Sequence, residues 1–166
     1  VTNGANNPSA STQKIGVTNY VLSGIKLTAG SAEGLSIEQI KWNQSQTASD
    51  GDVENLDLVV DGAVVATVKN ATDKDVLFDL RSSPVSIDKG KSKQIDIRGD
   101  IVDGSARTIR FDVKKQTDIV VKGVTYGYYI TPSYTNTSEP YWNSAGITTI
   151  ARGTIKVTPT GGVANA

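Results

Sequence analysis

The amino-acid sequence predicts an all-β protein, and three observations support that prediction. Val, Ile and Thr supply fifty of the 166 residues, whereas Leu occurs only seven times. Side chains branched at Cβ fit a pleated strand and lose rotamer freedom in a helix. No stretch repeats apolar residues at the i, i+3, i+4, i+7 spacing of an amphipathic helix. Short alternating segments separated by turn residues instead favour an antiparallel sandwich of about nine or ten strands.

The two ends of the chain differ in composition from its middle. Residues 1–17 are rich in Asn, Gly, Ser and Thr and contain one Pro, which is typical of a flexible linker or a donor-strand arm. We expect the sandwich itself over residues 18–158. The Thr-, Pro- and Gly-containing segment that follows predicts a C-terminal linker over residues 159–166.

Alternating apolar and polar side chains mark the first two strands. Residues 20–29 alternate, but the phase changes near Ser23–Gly24, so we expect a strand with a bulge at that point. Residues 35–42 form the second predicted strand, and their apolar phase shifts by one residue between Ile37 and Ile40.

The strongest turn signal is Asp61-Gly62, which joins the alternating segments 56–60 and 64–68. Asp-Gly is favoured in such a hairpin because both turn residues take a positive φ. Further strands are expected, in chain order, over residues 76–80, 95–101, 109–113, 119–121, 124–130 and 147–157.

Composition also excludes several classes of function. Lys plus Arg and Asp plus Glu both number 17, so the formal net charge is zero, which disfavours nucleic acid and anionic membranes as partners. No apolar run approaches the roughly 20 residues of a membrane-spanning helix. The absence of Cys and His removes thiolate nucleophiles, zinc sites and imidazole bases. We therefore expect neither enzymatic activity nor a cofactor, with calcium as the one exception considered next.

Three acidic residues, Asp50, Asp52 and Glu54, alternate in a Gly-containing loop and are the candidate calcium ligands. Calcium takes six to eight oxygen ligands, and carboxylates are its usual protein donors. Asp and Gly are equally what a tight turn requires, and no EF-hand loop is present. The sequence leaves both interpretations open.

Low charge and abundant Thr, Ser, Asn and Gly favour a secreted protein that acts at the cell surface. Asn43, Asn70 and Asn136 each begin a glycosylation sequon. The tripeptide Arg98-Gly99-Asp100 matches a sequence that adhesion receptors bind, but it falls inside a predicted strand, where a chance match is favoured.

Most of the aromatic residues lie in one segment, 126–142. Tyr134, Tyr141 and Trp142 are the candidate interface or ligand-binding residues, since Tyr and Trp bury large areas at a low entropic cost. A subunit interface or the protein core is favoured over a sugar-stacking surface, because interfaces are enriched in the same residues.

Several segments together resemble a known family. They read VLSGIKLTAGSAEGLSIEQIKW, ENLDLVVDGAVVATV, VSIDKGKSKQIDIRGDIVDG, TIRFDVKKQTDIVVKG and GTIKVTPTGG. This order is similar to that of the Ig-like repeat modules of large surface and S-layer-type proteins from small-genome, uncultured bacteria. The resemblance covers roughly residues 19–123 and 152–162. It implies an Ig-like sandwich that serves as a scaffold, coat or stalk, with modules in series.

The leading functional prediction is a structural subunit or module of an extracellular surface layer, stalk or filament. Its partners would be other copies or neighbouring modules, joined head-to-tail through the terminal segments, and an N-terminal arm could add a strand to a neighbour's sheet. The alternative is a carbohydrate- or receptor-binding adhesin module that uses residues 126–142.

Overall fold

The computed structural model describes residues 1–134, 141–142 and 145–152, and these residues form a β-sandwich of two sheets, as predicted. The described strands are β1 (Thr2–Asn3), β2 (Ser11–Gln13), β3 (Tyr20–Thr28), β4 (Leu35–Ser45), β5 (Val53–Val60), β6 (Ala63–Val68), β7 (Asp75–Asp79), β8 (Val85–Ile87), β9 (Ser92–Ile101), β10 (Thr108–Asp112), β11 (Ile119–Gly123), β12 (Tyr129–Ile130) and β13 (Thr148–Ile150). A 3-10 turn, Gln116–Asp118, precedes β11. Nothing helical in these ranges has the length and apolarity to cross a membrane.

The smaller sheet has five strands in the order β1-β3-β9-β5-β6. The larger sheet has eight, with β12-β11-β4-β10-β13-β2 along its main path and both β7 and β8 paired to β4. All described pairs are antiparallel except β13 with β2, which is parallel. The long strands β4 and β9 each have strands paired on both sides.

Local sequence signals are confirmed in this framework. Asp61 and Gly62 have φ values of 48° and 89°, as the predicted β5–β6 hairpin requires. The pairing of β3 with β9 shifts between Val21 and Ser23, next to the predicted bulge. The pairing of β4 with β11 shifts opposite Glu38, where the apolar phase of β4 changes.

The core lies between the two sheets and is formed by large apolar side chains. Trp42, Phe78 and Phe111 of the larger sheet and Leu58 and Ile95 of the smaller one are each at most 1% exposed. Burial of each such side chain stabilises the fold by roughly 1.5–3 kcal/mol. The two β-sheets are thus held face to face by residues that alternate along their strands.

The N-terminal segment 1–17, expected to be flexible, is part of the sandwich in the described structure. In β1, Thr2 pairs with Lys26 at the edge of the smaller sheet, and in β2 Ser11 pairs with Thr148 at the edge of the larger one. The arm therefore closes one open side between the sheets, because each of its strands supplies hydrogen bonds to an edge that would otherwise be unpaired. The predicted C-terminal linker 159–166 lies outside the described residues.

One predicted strand is much shorter than expected. The sequence predicts a Tyr-rich strand over residues 124–130, but 124–128 form a turn and only Tyr129–Ile130 form β12. The chain turns because Gly127 has a φ of 73° and its N–H bonds to the carbonyl of Gly123 at 3.1 Å.

Candidate functional site

The most exposed aromatic surface is the tyrosine hairpin, which we define as residues 119–130 (β11, its turn and β12). It lies at one edge of the larger sheet. Tyr126, Tyr128 and Tyr129 are 67%, 76% and 66% exposed, and Val124 beside them is 62% exposed. Large apolar and aromatic side chains gathered at one exposed place mark a contact surface.

Glu33 holds the turn of the tyrosine hairpin in place. Its carboxylate accepts hydrogen bonds from the backbone N–H groups of Thr125 and Tyr126 at 2.8 and 3.1 Å. The carboxylate also packs so closely on Gly123 that a side chain at this position would collide with it. A turn fixed by a charge-assisted pair of hydrogen bonds presents its tyrosines in a defined arrangement.

Polar side chains surround the ring of Tyr129. Its hydroxyl donates to the carboxylate of Glu38 at 3.1 Å, and the Lys122 ammonium lies 5.8 Å from the ring centroid. The hydrogen bond and the negative charge of Glu38 raise the pKa of Tyr129, so its hydroxyl remains a donor. Nearby, the guanidinium of Arg81 donates to the side-chain oxygen of Gln39 at 3.2 Å. The ring face of Tyr129 can stack on an apolar face of a ligand. The polar side chains around it can form hydrogen bonds with hydroxyl groups of the same ligand.

The structure places the sequence-predicted residues Tyr134, Tyr141 and Trp142 elsewhere. Tyr141 and Trp142 are 2% and 1% exposed, and Tyr134 is half-buried against them. The Tyr134 ring centroid lies 4.4 Å from that of Trp142 and 5.6 Å from that of Tyr141. The hydroxyl of Tyr141 donates to the carbonyl of Pro132 at 3.0 Å. Tyr141 and Trp142 therefore belong to the core and have no exposed ring face for a ligand, while Tyr134 packs against them at the surface.

The predicted calcium ligands are not brought together. Both carboxylate oxygens of Asp52 lie 2.9 Å from the guanidinium of Arg107, and Asp50 pairs with Lys74 at 3.2 Å. Glu54 lies in β5, opposite Asp100 of β9. Within the ranges that the structure describes, no three acidic residues converge as metal ligands would. Asp50 and Asp52 instead neutralise the positive charges of Lys74 and Arg107.

The predicted glycosylation residues lie in different settings. The side-chain amide of Asn43, half-buried in β4, donates to the Asp75 carboxylate at 2.9 Å. That of Asn70 donates to the carbonyl of Ala71 at 2.8 Å. Asn136 is outside the described residues. The side-chain nitrogens of Asn43 and Asn70, to which a glycan would be attached, therefore already donate local hydrogen bonds.

The Arg98-Gly99-Asp100 tripeptide lies within β9, as predicted. Asp100 accepts hydrogen bonds from the side chain of Asn55 at 2.8 Å and from the N–H of Asn19 at 2.7 Å. These bonds hold the pKa of Asp100 below its usual value. The tripeptide is extended and engaged with its own protein.

A polar cluster beneath the N-terminal arm was not predicted. Asp96 is only 1% exposed, and its carboxylate accepts from Asn6 at 2.8 Å and from Gln94 at 2.6 Å. Arg98 lies 3.4 Å from the same carboxylate. The N–H of Gly24 donates to the side-chain oxygen of Asn7 at 3.1 Å. We call Asp96, Asn6, Gln94 and Arg98 the Asp96 cluster, which attaches the arm to the outer face of the smaller sheet.

An apolar cavity of about 380 Å³ opens at the end of the sandwich near Thr28. Leu27, Leu35, Val121 and Ile130 contribute to its lining, so both sheets border it. Its volume lies near the lower end of the range of roughly 300–1,000 Å³ that is typical of ligand pockets.

Comparison with known proteins gives little further information. No family model matches the chain, and no curated protein matches it. One solved structure, a family 35 carbohydrate binding module from an environmental isolate, aligns over 70% of this chain and 74% of its own at 15% identity and a TM-score of 0.32. A similarity this low bears on neither the ligand nor the activity of this chain.

Proposed function

We propose that the chain is a non-enzymatic structural module of an extracellular surface layer, stalk or filament, joined end to end with neighbouring copies or modules. The composition, rich in Thr, Ser, Asn and Gly and without Cys or His, supports an extracellular structural role. The resemblance to surface-protein repeat modules favours the same role.

The observation that carries the proposal is the position of the first and last described strands. Thr2 in β1 pairs with Lys26, which itself pairs with Gln94 near the beginning of β9. The N–H of Ala151, after β13, bonds to Gln13, close to the contact of Gly16 with Ile101 at the other end of β9. Since β9 has ten residues, these two points are roughly 30 Å apart along the sandwich. Neighbouring copies that contact one another at these two points line up along the long axis of the sandwich.

The apolar cavity supplies a contact for a neighbour at the Thr2 end. Strand residues of both sheets and the connecting segments 30–33 and 131–133 line it, and Ile130 at its border is 38% exposed. The arm already occupies the sheet edges of its own sandwich, so we place the contact between copies at the ends of the sandwich. Repeated contacts of this heterologous kind form a string when the rotation does not close.

Electron microscopy of the purified full chain tests the proposal, and we expect strings with a repeat near the length of one sandwich. Ile130→Glu should shorten or abolish the strings, because it places a charge at the apolar cavity. Ile147→Glu is the matched control: Ile147 is 37% exposed, away from the cavity, and its replacement should leave the strings intact. Dispersed monomers of the wild-type chain at every concentration would contradict the proposal.

A second candidate function, glycan binding, is favoured by the tyrosine hairpin alone. Tyr128 and Tyr129 are exposed on a surface whose neighbours Glu38, Gln39 and Arg81 are planar polar groups. Such groups suit pairs of sugar hydroxyls, while the apolar face of a sugar ring stacks on tyrosine. Within the predicted segment 126–142, this candidate moves the binding surface from Tyr134, Tyr141 and Trp142 to the tyrosine hairpin.

Glycan-array and calorimetric measurements with Tyr129→Ala and Tyr129→Phe test this candidate. Alanine removes the ring and should reduce affinity at least ten-fold, about 1.4 kcal/mol, whereas phenylalanine keeps the stacking face and should retain most of it. Both variants should fold normally because Tyr129 is exposed. Glycan binding that survives Tyr129→Ala, or no binding by the wild-type chain, would exclude the hairpin as a glycan site.

A further inference from the structure

Two exposed apolar side chains lie at the end of the sandwich opposite the apolar cavity. Ile15 and Val102 are 40% and 42% exposed. The segments that carry them are joined by two backbone hydrogen bonds, from the N–H of Gly16 to the carbonyl of Ile101 at 2.8 Å and from the N–H of Ile101 to the carbonyl of Val17 at 2.9 Å. We call Ile15 and Val102 the apolar knob.

The apolar knob and the apolar cavity lie along the same strands. The segment with Ile15 leads into the start of β3, whereas Leu27 and Thr28 at the end of β3 line the cavity. Because β3 has nine residues, the two surfaces are roughly 30 Å apart along the sandwich. A heterologous contact needs two different surfaces, one on each partner, and a string forms when they face in opposite directions.

A positive and a negative residue flank the apolar knob. Lys14 follows β2 of the larger sheet, and Asp103 comes two residues after the end of β9 in the smaller sheet. Both residues are exposed. The Asp103 carboxylate accepts a hydrogen bond from the N–H of Gly104 at 2.7 Å, and a backbone donor of this kind leaves the negative charge in place. The knob therefore has its positive side toward the larger sheet and its negative side toward the smaller one.

The cavity has the reverse arrangement of charges. Glu33, which bonds to the turn of the tyrosine hairpin in the larger sheet, lines the cavity on that side. On the side of the smaller sheet, the carbonyl of Gly30 accepts the N–H of Gly90, so the exposed turn 88–91 borders the cavity. Lys89 and Lys91 outnumber the one acidic residue of that turn. Two copies in line, without rotation about the long axis, therefore bring opposite charges together on both sides.

We propose that the apolar knob of one copy docks into the apolar cavity of the next copy. This inference rests on the proposed function and names the two surfaces of the end-to-end contact. Docking removes Ile15 and Val102 from water against the apolar lining of the cavity, and the flanking charges set the orientation. A contact confined to one knob and one cavity is small, so assembly is weak and depends on concentration.

Disulfide trapping in the full chain tests the docking directly, because the sequence contains no Cys. A chain with both Val102→Cys and Ile130→Cys should form a ladder of covalent oligomers on mild oxidation. A mixture of the two single variants should form heterodimers that stop at two copies, since each chain then has one reactive end. Leu77→Cys is the matched control for Val102→Cys, because Leu77 is 47% exposed but lies on the edge strand β7. Its heterodimers with Ile130→Cys should form at least about ten-fold more slowly.

Electron microscopy of Val102→Glu and Leu77→Glu gives an independent readout, with circular dichroism to check that both variants fold. Val102→Glu should shorten or abolish the strings, because it places a charge against the apolar lining, and Leu77→Glu should leave them intact. Strings that persist in folded Val102→Glu, or equal trapping rates for Val102→Cys and Leu77→Cys, would overturn this inference and leave the end-to-end proposal standing. Absence of strings from the wild-type chain would instead contradict the proposed function itself, so the two failures are distinguishable.

Discussion

Trp142→Ala is expected to destabilise the protein by about 3–5 kcal/mol, because it removes a fully buried indole from the core. The Trp142 side chain is 1% exposed, and its backbone N–H bonds to the carbonyl of Val113 beside β10. The loss of stability has two parts, the lost burial of the indole and the cavity that it leaves. The cavity persists because the neighbouring Tyr134 and Tyr141 rings are held by their own contacts. Urea denaturation monitored by circular dichroism measures the change in unfolding free energy.

The control for this prediction is Tyr128→Ala, also an aromatic truncation in segment 126–142. Tyr128 is 76% exposed, so its loss should change the unfolding free energy by no more than about 0.5 kcal/mol. Equal and small effects of the two substitutions would show that Trp142 does not lie in the core. That outcome would restore Trp142 as a surface-binding residue.

Asp96→Ala is expected to cost about 3 kcal/mol and to loosen the N-terminal arm. The substitution leaves Arg98, whose side chain is only 23% exposed, without its carboxylate. It also removes the acceptor for Asn6 and Gln94, so the arm loses its side-chain attachment through Asn6, although the β1–β3 pairing remains. We expect a lower denaturation midpoint together with faster hydrogen exchange and faster proteolysis within residues 1–13.

Asp79→Ala is the matched control for Asp96→Ala. Asp79 also pairs with an arginine, but the side chains of Asp79 and Arg81 are 52% and 61% exposed, and exposed pairs contribute at most about 1 kcal/mol. Loss of stability at Asp96 without faster cleavage of the arm would contradict the role assigned to the cluster. So would an unchanged midpoint.

The arm shows why part of the fold could not be predicted from the sequence. Its strands have only two and three residues, too few to display any alternation. Their partners are distant in the chain, because Thr2 of β1 pairs with Lys26 and Ser11 of β2 pairs with Thr148. The polar composition of the arm therefore predicts flexibility, although backbone pairing orders the segment.

The aromatic segment illustrates the same limit for the candidate site. Sequence clustering draws attention to residues 126–142, but it gives no means of telling Tyr129, exposed beside Glu38, from Trp142, buried beside Val113. Asp96 lies between Ile95 and Ile97 and therefore faces away from the core, a position that the alternation assigns to solvent. Only the arm, folded over that face, makes it a buried residue.

The sequence by itself determined the all-β class, the β5–β6 turn at Asp61-Gly62 and the phase changes in β3 and β4. Each of these depends on side chains within a few residues of one another, where backbone preference and period-two alternation act directly. Tertiary structure alone decided that the arm closes the sandwich, that Trp142 is buried and that, among the described strands, β6 is left with one unpaired side. These outcomes depend on which distant segments meet, and that is fixed by the total burial and hydrogen bonding of the whole chain rather than by any local pattern.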